Sequence, residues 1–111
     1  MAYEYGSTAE DAFIGTATYG QMLGAKYNNI AYSFSQVYMI GVAGSTAYLY
    51  DGPGNDVLYA RTNYAVLEGA GFFNDAIGFT TVYAYAINGG IDIADTGNSL
   101  TFTLNKVGNW H

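Results

Sequence analysis

The chain has 111 residues, of which 50% are hydrophobic and 11% are charged, so it is neither a disordered segment nor a typical highly charged cytosolic protein. Its length fits one domain with a modest core. Three basic residues against nine acidic ones give a net charge of −6, which predicts no nucleic-acid partner, and the lack of cysteine excludes disulfides and thiolate metal sites.

The start of the chain and its longest uncharged stretch bear on targeting and membrane insertion. Residues 1–6, Met-Ala-Tyr-Glu-Tyr-Gly, are acidic and polar, unlike the basic start and apolar run of a signal peptide. Residues 27–50 carry no charge, but seven of them are Asn, Ser, Gln or Thr, too many polar groups for a helix in lipid. We therefore expect no membrane insertion.

An internal repeat of 45 residues organises the chain. Shifting the sequence by 45 residues superimposes thirteen identical residues without a gap, among them Tyr3 on Tyr48 and Tyr5 on Tyr50. The two repeats cover residues 2–46 and 47–90, and a partial third copy covers residues 91–104. We expect a single repeat domain over residues 1–108, followed by a tail of residues 109–111.

A nine-residue period lies beneath this repeat and predicts about twelve short β-strands. Cut from residue 1, the chain gives twelve nonapeptides, and thirteen of its fifteen glycines fall in the last four positions, as expected for turns. The fourth position is apolar in most blocks, while its polar members Glu4 and Thr103 lie in the end blocks, where capping units are expected. It predicts a core ladder with tyrosines pointing outward on either side. The ladder residues are Phe13, Met22, Ile40, Leu49, Leu58 and Leu67.

One nonapeptide resembles a known repeat. Residues 51–59, Asp-Gly-Pro-Gly-Asn-Asp-Val-Leu-Tyr, are similar to the RTX nonapeptide Gly-Gly-x-Gly-x-Asp-x-U-x, in which U is a large apolar residue. Gly52 and Gly54 match its first and third glycines, Asp56 its aspartate and Leu58 its apolar position. The 45-residue unit also resembles repeats in very large secreted or surface proteins of planctomycete-type bacteria. These resemblances imply an extracellular or cell-surface protein.

The resemblance also implies an all-β fold of the parallel β-solenoid type, like a β-roll, with two nonapeptides in each coil. The alternative is an antiparallel β-meander that forms a sandwich or barrel, because a meander also alternates a strand with a turn. No window of the sequence has an apolar stripe with a 3.6-residue period, so a helical fold is not expected.

RTX proteins bind Ca²⁺ between successive turns, so the resemblance implies a calcium site at the turn aspartates. The candidates are Asp51, Asp56, Asp92 and Asp95, because Ca²⁺ takes six to eight oxygen ligands, several of them from carboxylates. The alternative is that these aspartates form Asx-turn hydrogen bonds at solvated strand starts. The sequence predicts no cofactor apart from Ca²⁺.

No residue is predicted to be catalytic. The only histidine, His111, is the last residue of the chain, and without cysteine a hydrolytic triad lacks its usual members. Acidic pairs such as Asp92 and Asp95 lie close together in sequence, without an apolar motif that would raise a pKa. We therefore expect that the protein is not an enzyme.

These features favour a structural or adhesive module that associates with itself head to tail, into homo-oligomers or filaments. A stack of strands exposes unpaired edges, and both ends of this sequence are β-like. The predicted assembly edges are Ala2, Tyr3 and Tyr5 at the start and Leu100, Phe102 and Leu104 near the end. The alternatives are a calcium-stabilised RTX-like binding module and a carbohydrate-binding face of tyrosines, namely Tyr48, Tyr50, Tyr59, Tyr83 and Tyr85.

Overall fold

The computed structural model describes residues 2–6, 11–24, 28–32, 36–97 and 99–111, which form twelve β-strands and no helix. The predictions of an all-β fold and of twelve short strands are confirmed. The described ranges accordingly hold no apolar helix of membrane-spanning length. In chain order the strands are β1 (Ala2–Tyr5), β2 (Ala12–Gly15), β3 (Tyr19–Leu23), β4 (Asn28–Tyr32), β5 (Val37–Ile40), β6 (Thr46–Tyr50), β7 (Val57–Arg61), β8 (Tyr64–Gly69), β9 (Phe72–Ile77), β10 (Thr81–Ala86), β11 (Ile93–Thr96) and β12 (Thr103–Gly108).

The strands form two open six-stranded sheets, each with mixed strand directions. The first sheet has the order β1-β5-β9-β8-β7-β11, and the second has the order β12-β10-β6-β2-β3-β4. In the first sheet β8 is antiparallel to both its neighbours and the other pairs are parallel. In the second sheet β3 is antiparallel to both its neighbours and the other pairs are parallel. The predicted parallel solenoid is therefore wrong, and the meander and barrel alternatives are wrong as well.

The spacing between stacked parallel strands also differs from the prediction of two nonapeptides per coil. Ala12 pairs with Thr46, which is 34 residues further on, and Val37 pairs with Asn74, 37 residues further on. These coils are thus roughly twice as long as predicted, because the chain turns back through β3 or β8 before the next parallel strand forms. The last pair differs: Thr81 on β10 pairs with Thr103 on β12, 22 residues further on, since only β11 lies between them. Glycine-rich turns and alternating apolar residues accompany parallel and antiparallel strands alike. The sequence pattern therefore did not show that β3 and β8 run opposite to their neighbours.

Residues related by the 45-residue shift do not lie on neighbouring strands. Tyr3 is on β1 in the first sheet, whereas Tyr48 is on β6 in the second. The partner of Tyr3 is instead Tyr38, 35 residues further on, and their rings stack with centroids 5.1 Å apart. Tyr48 likewise stacks on Tyr83 at 5.3 Å.

The core lies between the two sheets and takes alternate residues from most of the strands. Five members of the predicted ladder belong to it: Phe13, Met22 and Leu49 from the second sheet and Leu58 and Leu67 from the first. They do not form one column, because they come from two facing sheets. Ile40 does not belong to the core. It is partly exposed on the outer face of β5, because that strand turns Val37 and Met39 inward.

Contacts between the sheets show which strands face each other. A Cβ added at Gly20 on β3 would lie 2.8 Å from Cγ1 of Val37 on β5 and 3.3 Å from Oε1 of Glu4 on β1. Asn74 on β9 donates its side-chain N–H to the carbonyl of Thr16, which follows β2, at 2.8 Å. The edge strands β1 and β4 therefore share one end of the sandwich, and β11 and β12 share the other.

Residues 109–111 return from β12 to the first sheet. Trp110 forms an isolated parallel bridge with Asp92, and its indole Nε1 donates to the carbonyl of Ala84 at 3.2 Å. The backbone amide of His111 donates to the carbonyl of Asp92 at 2.8 Å. This segment consequently lies beside the start of β11, with the Trp110 ring packed against the core.

Candidate metal centre

Two connections between the sheets stack on each other at one side of the sandwich. Residues 51–56 lead from β6 to β7, and residues 87–92 lead from β10 to β11, 36 residues later. The backbone amide of Asp56 donates to Oδ1 of Asp92 at 2.9 Å, and that of Ile91 donates to Oδ1 of Asn55 at 2.7 Å. These bonds hold the two connections in register, so the aspartates of both meet.

Three of the four predicted calcium ligands lie together in this stack. Asp51, Asp56 and Asp92 each place a carboxylate oxygen within 4.8 Å of the other two. All three residues are buried, with 2%, 1% and 2% of their surface exposed. A surface hollow of about 330 Å³ on the outer face of the second sheet is lined in part by Asp51, Tyr50 and Asn88, so one of the three acids borders it.

Hydrogen bonds from the backbone orient each carboxylate. The amide of Gly52 donates to Oδ2 of Asp56 at 2.7 Å. The amides of Ile87 and Asn88 donate to Oδ1 of Asp51 at 3.0 and 3.1 Å, and the Asn88 side chain donates to the same oxygen at 3.1 Å. The Asn88 amide also donates to Oδ2 of Asp51 at 3.0 Å. A carboxylate oxygen has two lone pairs, so the three donors to Oδ1 of Asp51 saturate that atom, and the remaining acceptor capacity for a cation lies on the other carboxylate oxygens of the cluster.

Burial and the neighbouring acids raise the pKa of two members of the cluster, Asp56 and Asp92. Burial raises the pKa of Asp56 to about 6, with the charges of Asp92 and Asp51 adding to the rise and the Gly52 amide opposing it. Burial likewise raises the pKa of Asp92. The Asp56 amide opposes that rise, the Asp51 carboxylate adds to it, and the nearby His111 opposes it. Near neutral pH the cluster therefore carries negative charge that a bound cation would stabilise.

Asp95, the fourth predicted ligand, lies elsewhere. It is on the outer face of β11, where it forms a salt bridge of 3.0 Å with Arg61, and about half of its side chain is exposed. Asp92 directly precedes the strand and faces the stacked connections, whereas Asp95 is three residues further on and faces outward.

Two further residues complete the site, and the sequence did not point to them. Asn88 donates its side-chain N–H to the carbonyl of Asp51 at 2.9 Å, which joins the two connections. Gly69, at the end of β8, leaves room for the Asp56 carboxylate, because a Cβ there would collide with Oδ1. The only sequence signal for Asn88 is its position 36 residues after Gly52. This offset equals the spacing of the two stacked connections, so it points to Asn88 only when that spacing is known.

The tyrosines of the predicted carbohydrate-binding face lie on two different surfaces. Tyr48, Tyr50, Tyr83 and Tyr85 share the outer face of the second sheet, while Tyr59 is on the first sheet. Tyr50 and Tyr85 stack with centroids 4.6 Å apart and planes 10° apart. Each of these four rings thus uses one face for a neighbouring ring rather than for a ligand.

The predicted assembly residues also fall on different sheets. Ala2, Tyr3 and Tyr5 form β1, an edge strand of the first sheet, and both tyrosines are exposed. Leu104 belongs to β12, an edge strand of the second sheet, and both Leu104 and Leu100 pack against the core. Phe102 is buried with 9% of its surface exposed, so its side chain is not free to contact another molecule.

Comparison with protein-family models, with curated proteins and with solved structures finds no match for this chain. The RTX-like pattern therefore rests on residues 51–59 alone.

Proposed function

We propose that the protein is a non-catalytic structural or adhesive module, extracellular or at the cell surface, that associates end to end. The observation that carries this proposal is that both sheets end in open strands at the same two ends of the sandwich. An open strand offers unpaired N–H and C=O groups, which are a template for another strand.

Strand directions support association by simple translation. In the first sheet β1 and β11 run in the same direction, because the chain reverses at both sides of β8. In the second sheet β4 and β12 share a direction because the chain reverses at both sides of β3. A second copy placed on the β11–β12 end would extend both sheets in parallel, with its β1 beside β11 and its β4 beside β12. A contact that repeats in this way does not close, so it generates filaments.

The free backbone groups at the two edges are complementary. Ala2 and Gly6 donate their amides to Gln36 and Ile40, so the intervening Tyr3 and Tyr5 direct their amides to the open side of β1. On β11, Ile93 and Gly97 donate to Asp56 and Ala60, which leaves the amides of Ala94 and Thr96 on the open side. Residues 110–111 occupy this edge only beside Asp92. Tyr3 of one copy is therefore placed opposite Asp95 of the next.

A substitution at Thr96 tests end-to-end association. In sedimentation velocity experiments at increasing concentration, we expect the wild-type protein to form progressively larger species. Thr96→Pro removes the amide at the open edge of β11 while leaving the hydrogen bonds to β7. Because one hydrogen bond between copies is lost and the proline ring blocks the approach of the next strand, we expect association to be weaker by about tenfold or more. Thr96→Val keeps the amide and is the matched control. A wild-type protein that stays monomeric throughout, or equal association of the proline variant, would contradict the proposal.

A second candidate function is a calcium-stabilised module, and the cluster of Asp51, Asp56 and Asp92 supports it. Carboxylate oxygens are the preferred ligands of Ca²⁺, and backbone carbonyls of the stacked connections are the usual source of the remaining ligands. A cation there would join two coils, so it would stabilise the module rather than perform a reaction. The tyrosine-faced carbohydrate-binding alternative has weaker support, because those rings already stack on one another.

A further inference from the structure

The outer face of the first sheet has a carboxylate at its centre. Asp75 lies on β9, which has neighbours on both sides, and it points away from the core that Asn74 and Ala76 face. Only 8% of Asp75 is exposed, and its Oδ1 is buried without a hydrogen-bond partner. A buried charge without a partner destabilises the fold, so an acid at this position is evidence for a role other than stability.

Aromatic and apolar side chains surround this carboxylate. Tyr38 lies directly opposite it on β5, and Val66 lies directly opposite it on β8. The ring of Phe73, two residues away on the same face, packs against Tyr38 with centroids 5.6 Å apart. Tyr3, stacked on Tyr38, is 56% exposed. The carboxylate therefore lies among aromatic and apolar side chains on a face whose rings are partly exposed.

The charged groups on this face do not neutralise Asp75. Glu68 on β8 pairs with Phe73, which places a second acid diagonally across from Asp75. Arg61 on β7 is held by Asp95 at 3.0 Å and by the carbonyls of Ala60 and Asp95, both at 2.9 Å. Within the described ranges no basic side chain bonds to Asp75, and the remaining ionisable residues on the face are tyrosines: Tyr3, Tyr5, Tyr38, Tyr59 and Tyr64.

We propose that Asp75 and the rings around it form a docking site for a lysine or arginine side chain of a partner protein. The carboxylate supplies a charge-assisted hydrogen bond to the ammonium or guanidinium group. The rings of Tyr38 and Phe73 supply cation–π attraction and cover the aliphatic stem. Glu68 adds a second negative charge beside the site.

The protonation of Asp75 makes this binding depend on pH. Burial raises the pKa of Asp75 to about 6. Only the ionised carboxylate pairs with a cation, so affinity is constant above this pH and falls about tenfold for each unit below it. A contact based only on the aromatic rings would not show this dependence.

Two small cations and a matched alcohol test the site. We expect n-butylammonium and n-propylguanidinium to shift the backbone amide resonances around Tyr38, Phe73 and Val66 at pH 7.5, whereas 1-butanol leaves them unchanged. Asp75→Asn keeps the side-chain shape and removes the charge, so we expect binding to weaken at least tenfold. Asp95→Asn, at the edge of the same face, is the control and keeps wild-type binding.

Three results would overturn the proposal: no shift with either cation, equal shifts with 1-butanol, or unchanged binding in Asp75→Asn. The asparagine variant is expected to fold, because it removes an unpaired buried charge. If it does not fold, the pH profile of the wild-type protein decides, since affinity that stays constant from pH 7.5 to pH 5 rules out Asp75 as the ligand.

Discussion

The free energy of unfolding of the wild-type protein is expected to fall by about 2 to 3 kcal/mol between pH 5 and pH 8, at ~1.4 kcal/mol per pKa unit, and Glu4→Gln is expected to abolish this decrease. Glu4 lies on β1 with 9% of its surface exposed, and neither carboxylate oxygen has a hydrogen-bond partner of proper geometry. Burial raises its pKa from 4.5 to about 7, opposed only in part by the backbone amide of Met22. The sequence pattern placed this glutamate in an end block, where a capping unit was expected, and the structure places it between the sheets.

The direction of the pH effect follows from this raised pKa. Between pH 4.5 and about 7 the folded chain retains a proton on Glu4 that the unfolded chain releases. Stability therefore decreases as the pH rises through this range, and the loss remains above it. The same sign applies to Asp56 and Asp75, whose pKa values burial raises to about 6, so the wild-type protein is expected to be most stable in mild acid.

Urea unfolding at a series of pH values measures this effect. Glu4→Gln is expected to flatten the decrease in stability above pH 5, because the neutral amide does not titrate. Glu68→Gln, on the outer face of β8, makes the same chemical change at a partly exposed position and is the matched control. Parallel pH profiles for the wild type and Glu4→Gln would show that Glu4 is not buried as an unpaired acid.

Calcium is expected to raise the melting temperature strongly, by stabilising the stack of residues 51–56 on residues 87–92. A ligand that binds only the folded state stabilises it by about 2.7 kcal/mol at a concentration of one hundred times its Kd. For a domain of this size that corresponds to a rise of roughly 10 °C or more. The measurement is thermal unfolding by circular dichroism after removal of metal with EGTA and then with increasing Ca²⁺.

Two aspartate variants separate a specific site from general screening by salt. Asp56→Asn removes one of the three clustered charges, so we expect the calcium-induced rise to be lost or shifted to at least tenfold higher Ca²⁺. Asp95→Asn removes an exposed charge outside the cluster, and its response is expected to match the wild type. The calcium effect should also weaken below pH 6, where protons compete for Asp56. A melting temperature that does not change with Ca²⁺, or equal responses of the two variants, would show that the aspartates act only as hydrogen-bond acceptors.

The inward positions of many strands could be predicted from the sequence because alternation is a local property. Leu49 is flanked by Tyr48 and Tyr50, so only one face of β6 is suited to the core, and Leu49 is indeed fully buried. Ile40 was misplaced because every residue of β5 is apolar or aromatic, and alternation alone does not then distinguish the faces. Met39 rather than Ile40 faces the core, because the face of β5 that carries Met39 packs against the second sheet.

Strand direction and coil length could not be predicted, because they depend on contacts between distant residues. A glycine-rich turn of a few residues can either reverse a strand in the same sheet or lead to the other sheet. The Asp51–Asp56–Asp92 cluster was found in part because the turn motif singles out its aspartates. Asp95 was added by proximity in sequence, whereas Asp75 gave no signal, because an isolated acid in a strand usually faces water.

The most direct test of this account is the offset between stacked strands, since the two ends of the sandwich and the aspartate cluster both follow from it. The chain has no cysteine, so pairs can be introduced and joined with a thiol reagent that spans one interstrand distance, about 5 Å. We expect Tyr3→Cys with Tyr38→Cys to cross-link within the monomer, because these residues are 35 apart and directly opposite on β1 and β5. Tyr3→Cys with Tyr48→Cys, which are 45 apart and on different sheets, is expected not to react. Cross-linking of the second pair but not the first would contradict the described fold.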